Sequence, residues 1–304
     1  MSEIKSSACI IAGGVLCGLL PLFIKYFAAA GFSPEQVVFA RVLFSAALMS
    51  LYVAFRCPAA FRIRLADAWY FVGTGIISIM LLSYCYFRTI ESANIALAAL
   101  LLYTSPVFVL FFSVLLFKER MTRRKLLAVA CTFGGCACIT GIVSRGAPVV
   151  PLPVFMVGLG AGFFYSLYTI FGKYALGRYS ATTVTLYTFI FAALGTAFLV
   201  PLPETAAQFA DPAIFLAACG MALLCSLGTY GLYTIGLKGV APSKAGVLIT
   251  VEPVVATLVG IFVFHEQAGF ETAAGVILIL GATVLLSTAA PEAAPAPAKN
   301  ARTP

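Results

Sequence analysis

Two ionisable side chains stand deep within apolar runs: Arg41 in "VVFARVLFSAALMSL" and Glu252 in "GVLITVEPVVATLVG". A charge at such depth in a bilayer costs at least about 2.5–3.5 kcal/mol, so it faces a cavity or a partner. At 1.5 Å per residue, Arg41 lies about 10 Å from the nearer end of its run and Glu252 about 13 Å from the start of its own. Their chemistries are complementary. A carboxylate can carry a proton or hold an ammonium group, and a guanidinium can hold a carboxylate. A zwitterion could use both. The alternatives are a structural ion pair between the two, or a neutral Glu252 hydrogen-bonded beside Pro253.

Tyrosines crowd the same apolar runs: Tyr84, Tyr86, Tyr103, Tyr165, Tyr168, Tyr187, Tyr230 and Tyr233. A tyrosine combines an apolar ring with one polar handle, which suits a wet cavity, and rings attract cationic amines. Tyr165 and Tyr168 lie one turn apart on one helix face. With Arg41 and Glu252, the residues assigned to a substrate site are Tyr84, Tyr103, Tyr165, Tyr168 and Tyr233. Packing or an interfacial belt is the competing role, and it fits Tyr26, Tyr52, Tyr174 and Tyr179 near the ends of runs.

Other chemistries find no support. HExxH, GxSxG and the phosphate-binding GxxxxGK[ST] pattern are all missing, and the single histidine, His265, lies at the end of a run. The nine cysteines contain no CxxC pair and no spacing for zinc, and they read as small helix-packing residues. No cofactor, metal or catalytic group is expected, and neither direct ATP coupling nor an intramembrane enzyme is indicated.

The elements that must position these residues follow from composition. Apolar residues make up 62% of the 304 and charged ones 10%, against about 45–50% and about 25% in soluble domains. Mean hydropathy is +1.05. Ten apolar segments run over about 8–27, 34–55, 68–88, 92–117, 124–143, 154–173, 181–200, 212–236, 243–264 and 270–289, each near the ~20 residues that cross a bilayer as a helix. The expected fold is therefore an all-α integral membrane protein. Lys5 followed by an apolar run and Ala28-Ala29-Ala30 imitates a signal peptide, but the run is long and its likeness recurs further along the chain.

With the N-terminus in the cytoplasm, 15 of the 19 Lys and Arg fall in inside segments, and only Lys25, Arg88 and Arg145 fall outside. That bias is the positive-inside rule, and it places both termini in the cytoplasm. The net charge of +8 then sits against anionic lipid headgroups, and no nucleic-acid partner is needed to explain it.

The chain also repeats itself. At an offset of 147, Pro106 falls on Pro253, Glu119 on Glu266 and Tyr86 on Tyr233, while Glu252 falls on the uncharged Ser105. Slipped by one, "LPLFIKY" (20–26) matches "YTIFGKY" (168–174), and "SAALMSLYV" (45–53) resembles "FAALGTAFLV" (191–200). Two five-helix halves are expected, 1–145 and 151–290, with a disordered cytoplasmic tail over 291–304. Five is odd, so the second half enters the membrane from the opposite side. Inverted repeats place a site between the halves that opens alternately to each side. Mid-span prolines kink helices, so Pro106 and Pro253 are assigned as kink or gating positions. Gly14/Gly18 and Gly158/Gly162 have the GxxxG spacing of close helix contacts. Glu119 and Glu266, at span ends, read as anchoring or loop-bonding groups.

The stretches "LYTSPVFVLFFSVLLFKERMTRRKLLAVACTFGGCACITG" (102–141) and "SKAGVLITVEPVVATLVGIFVFHE" (243–266), within ten spans and about 300 residues, resemble the EamA family of the drug/metabolite transporter superfamily. The likeness covers nearly the whole chain. It implies a central cavity lined by helices 1–4 and 6–9, with helices 5 and 10 peripheral. It also implies a substrate among amino acids, amines, drugs and other metabolites. The expected function is a secondary active transporter in the cell inner (plasma) membrane, exporting a small polar metabolite such as an amino acid or amine, with proton or other ion coupling open. The alternatives are import or exchange of another class, such as an organic cation or drug, or a channel.

Overall fold

A computed structural model describes residues 2–146, 150–267 and 269–288. The expected tail over 291–304 lies outside the described residues. The long helical elements are α1 (Glu3–Ala29), α2 (Pro34–Arg56), α3 (Leu65–Ser92), α4 (Ile95–Phe117), α5 (Arg123–Ile139), α6 (Leu152–Ala175), α7 (Ala181–Leu199), α8 (Pro212–Gly239), α9 (Pro242–Phe264) and α10 (Phe270–Ser287). Among the described residues, nine of these are long and apolar enough to cross a membrane. The exception, α5, has 17 residues and opens on Arg123, Arg124 and Lys125. The sequence pattern carried it on to 143. Instead it ends at Ile139, and Gly141, at a φ of 71°, turns the chain into the short Ile142–Arg145 turn.

Helix starts are written locally. Ser33 and Gln36 form a reciprocal capping box at α2, and Thr122, Asn94 and Ser180 accept from the third helical amide of α5, α4 and α7. Each satisfies an amide that the first turn leaves unbonded. Helix ends carry the repeat. Lys118 and His265, 147 residues apart, are the two non-glycine residues with positive φ, 55° and 54°, among the described residues. Each is followed by a glutamate whose amide bonds back six residues, Glu119 to the Ser113 carbonyl at 3.2 Å and Glu266 to the Gly260 carbonyl at 3.0 Å. The same C-terminal cap closes α4 and α9.

The inversion is visible in three contacts. Lys244 pairs with Glu3 at 2.8 Å and Lys25 with Glu266 at 3.2 Å, so α1 and α9 run parallel. Ser243, at the start of α9, donates to Glu119, at the end of α4, so those two repeat mates run antiparallel. Glu119, buried, also accepts from Lys125 at 2.9 Å. Both glutamates thus bind across helix ends, as anchoring residues should.

The first helix of each half packs into the other half. A β-carbon on Gly14 of α1 would lie 2.8 Å from the Ile249 carbonyl oxygen of α9, and one on Gly162 of α6 would lie 2.6 Å from that of Leu101 on α4. α5 and α10 pack on each other through Gly135 and Gly275. Beyond each other they touch mainly α4 and α9, which leaves them at the periphery.

The charge distribution makes a prediction here. Cysteines substituted at Met121, beside the basic start of α5, and at Asp211, before α8, should face opposite sides. A membrane-impermeant maleimide added to intact cells should label Asp211→Cys and spare Met121→Cys. Labelling of Met121→Cys from outside would reverse the orientation.

Candidate functional site

The two prolines act one turn upstream. A proline has no amide hydrogen to give to the carbonyl four residues back, and its ring crowds that carbonyl. In α4 the helix is interrupted at Tyr103–Thr104, before Pro106, and in α9 at Ile249–Thr250, before Pro253. Threonine hydroxyls turn inward at both breaks, Thr104 to the Leu101 carbonyl at 2.6 Å and Thr250 to the Val247 carbonyl at 2.5 Å. The breaks leave two half-helices starting inside the protein, Ser105–Phe117 and Val251–Phe264. Their first turns hold the symmetry mates Ser105 and Glu252. A carboxylate in a first helical turn meets the positive end of the helix dipole.

Glu252 accepts a long hydrogen bond, 3.4 Å, from the Tyr165 hydroxyl of α6 and lies beside Cys17 of α1. Tyr165 and Cys17 line a narrow cavity of about 30 Å³ with Ser105, Tyr168, Tyr230 and Tyr233. A water needs about 10–15 Å³ on this measure, so the cavity holds two or three waters and no metabolite. Tyr168 and Tyr233 are pinned to threonines of the facing helix, Tyr168 with Thr234 at 2.8 Å and Tyr233 with Thr169 at 2.6 Å. The Thr229 hydroxyl, in the same lining, is buried and has no hydrogen-bond partner among the described residues.

Arg41 belongs to a second cavity, of about 40 Å³, lined also by Val38, Ile79, Ser83, Phe189 and Tyr230. α8 winds through Ala222–Gly228 with i→i+5 turns, a widening common at functional sites. Arg41 reaches that segment, Nε donating to Ser226 Oγ at 2.9 Å and a terminal nitrogen to the Cys225 carbonyl at 3.1 Å. The other half repeats the arrangement without the charge. Thr188, 147 residues after Arg41, donates to Thr74 at 2.7 Å in the matching wide-turn segment of α3, Gly73–Met80. Among the described residues no ion pair joins Arg41 to Glu252, though each lies within electrostatic reach of the other.

Of the residues singled out in the sequence, the structure gathers Arg41, Tyr165, Tyr168 and Tyr233 around these two cavities, with Glu252 behind the lining of the first, bonded to Tyr165. Tyr103 sits at the α4 break but packs into a core cluster with Leu100, Cys136, Val254 and Ile279. Tyr84 is a correction. It is 46% exposed on α3, next to Arg88, and contributes to neither cavity. Tyr84 is singled out in the sequence for lying in an apolar run, and that does not say which face of the helix it takes. Tyr230 and Cys17 were not assigned to the site. Cysteine carries no signal in an apolar run, and Tyr230 differs from its neighbours only by where α8 points it.

A model described as the EamA-like transporter family matches residues 5–141 and 152–288, once per half. Two proteins of Archaeoglobus fulgidus, each described as an uncharacterized transporter, are similar in sequence. One is 29% identical over 66% of this chain and 70% of its own length, and the other 28% identical over 84% and 88%. A solved structure described only as a crystal structure of protein superposes with a TM-score of 0.74 at 19% identity, covering 92% of this chain and 95% of that one, which makes it a match of fold.

Proposed function

We propose, from the premise that this chain belongs to the EamA-like transporter family and is a multi-pass membrane transporter rather than an enzyme, that it exports a small polar metabolite of the amino acid or amine class. The carrying observation is the asymmetric charge pair. Glu252 at one cavity and Arg41 at the next are not bonded to each other among the described residues, and the Thr229 hydroxyl beside them has no partner. A zwitterion supplies what each lacks: an ammonium for Glu252, a carboxylate for Arg41 and an acceptor or donor for Thr229. Among the described residues, Glu252 and Arg41 have hydrogen-bond partners but no paired counter-charge, and the Thr229 hydroxyl has no partner; a ligand that supplies these is favoured, because an uncompensated buried polar group carries its desolvation cost.

The cycle follows from the inversion. The half-helices beginning at Ser105 and Val251 are joined to the preceding turns only through the breaks, so each can tilt about its break. Proton and ammonium compete for one carboxylate, which makes Glu252 the coupling group of a proton antiport. The membrane is the cell inner membrane, with both termini in the cytoplasm.

Purified protein in liposomes loaded with a mixture of the twenty amino acids and simple primary amines should release a subset of them saturably when the outside is acidified. Mass spectrometry of the external medium identifies the subset. Release that does not saturate would replace the carrier reading with a channel, and release of none would remove the substrate class.

A further inference from the structure

Among the described residues, Tyr230 is the one that lines both cavities. It stands on α8 one turn beyond Ser226, which holds Arg41. Its ring meets Tyr168 edge-on at 4.9 Å and Phe189 at 5.4 Å, and the Arg41 guanidinium lies over it at 5.7 Å. Its neighbours Tyr168 and Tyr233 are fixed by short hydroxyl bonds to threonines. Tyr230 is held instead by ring packing and by Arg41, the group that the proposed substrate's carboxylate would engage.

From this arrangement we infer that Tyr230 is a specificity-determining partition. It separates the Glu252 cavity from the Arg41 cavity, and a ligand must displace it to span the two. The inference rests on the reading of the two charges as the poles of one substrate site. With the ring in place neither chamber admits a metabolite. With the ring swung aside the two merge into one elongated chamber, with Tyr165 and the Glu252 carboxylate behind it at one end and the Arg41 guanidinium at the other. The ring's bulk then sets how long a zwitterion can be held. Arg41 couples the two events, because a carboxylate that draws the guanidinium away from the ring also loosens the partition.

Two measurements test this on the full chain. The first needs no substrate. Detergent-solubilised protein is treated with N-ethylmaleimide, and alkylation of Cys17, in the lining of the Glu252 cavity, is followed by peptide mass spectrometry with Cys9 as the internal reference. Tyr230→Ala should speed Cys17 alkylation several-fold relative to Cys9. Tyr230→Phe should not, and neither should Val38→Ala, which enlarges the Arg41 side without removing a ring packed on Tyr230. An unchanged Cys17 rate in Tyr230→Ala, or an equal gain in Val38→Ala, overturns the partition. If Tyr230→Ala does not fold, Tyr230→Leu takes its place with the same expectation.

The second measurement compares counterflow of amino acids from glycine to lysine. Tyr230→Ala should shift the ratio of long to short substrates by about tenfold, the scale of one side-chain step in pocket discrimination. Tyr230→Phe should keep the wild-type ratio. An unchanged ratio in Tyr230→Ala overturns the specificity role. A wild-type protein that moves no amino acid overturns the substrate reading instead, and the Cys17 rates then decide the partition on their own.

Discussion

Liposomes carrying Glu252→Gln are expected to show no net substrate release under an imposed pH gradient, while substrate exchange at equal pH on both sides persists. Glutamine keeps the size and one hydrogen-bond acceptor of the side chain, so the bond from Tyr165 can remain. What it loses is the ability to take up and give off a proton. A coupling group must do both once per cycle, so its loss separates transport from the gradient without closing the pathway. Binding of an amine to the variant should also lose its pH dependence, since proton and ammonium no longer compete. Glu119→Gln serves as the contrast. Glu119 lies at the end of α4, bonded to Lys125 and Ser243, so its replacement should cost stability and leave the pH dependence of flux in place. Wild-type pH-driven flux in Glu252→Gln would make Glu252 a structural residue and move coupling elsewhere.

Much of this architecture is legible in the chain because lipid imposes a simple rule. An apolar run of about 20 residues between charge clusters has few structures open to it other than a helix. Repeat and inversion follow from residues whose backbone role is strict: Pro106 and Pro253 lack a donor, and the glutamates at 119 and 266 follow the left-handed caps at Lys118 and His265. The site was legible where its chemistry is costly. Arg41 and Glu252 stand out because burying a charge without a purpose is unfavourable. What hydropathy does not encode was lost. The i→i+5 turns of Gly73–Met80 and Ala222–Gly228 have the same composition as regular helix, yet they set which faces of α3 and α8 turn inward. An apolar run therefore marks Tyr84 and Tyr230 alike, while the structure sets Tyr230 in the lining of both cavities and Tyr84 in neither. The interruption of α1 at Gly18–Leu19, ahead of Pro21, also has no echo in the second half, where Thr169 takes the corresponding position and α6 is continuous.

The close seats of α1 and α6 lead to the second large effect, expected for Gly162→Ala. The added methyl would lie 2.6 Å from the Leu101 carbonyl oxygen, at the turn where Pro106 interrupts α4. Backbone cannot yield as a side-chain tip can, so α6 must move away or the break must close. Overpacking of this kind costs about 1–3 kcal/mol, and here it falls on the contact between the two halves. Gly14→Ala should behave alike, its methyl lying 2.8 Å from the Ile249 carbonyl oxygen at the other break. Gly231→Ala is the control, since a β-carbon there meets nothing within 4 Å. In a helix interior that change should be neutral or stabilising by up to about 1 kcal/mol. Thermal unfolding in detergent should therefore rank Gly231→Ala at or above wild type and both seat variants below it. The seat variants should also lose transport out of proportion to their loss of folded protein, because the contacts they push apart are the ones each half-helix must slide along to tilt. If Gly162→Ala and Gly14→Ala match Gly231→Ala in stability and flux, the two seats are not tight, and the breaks are free to move without them.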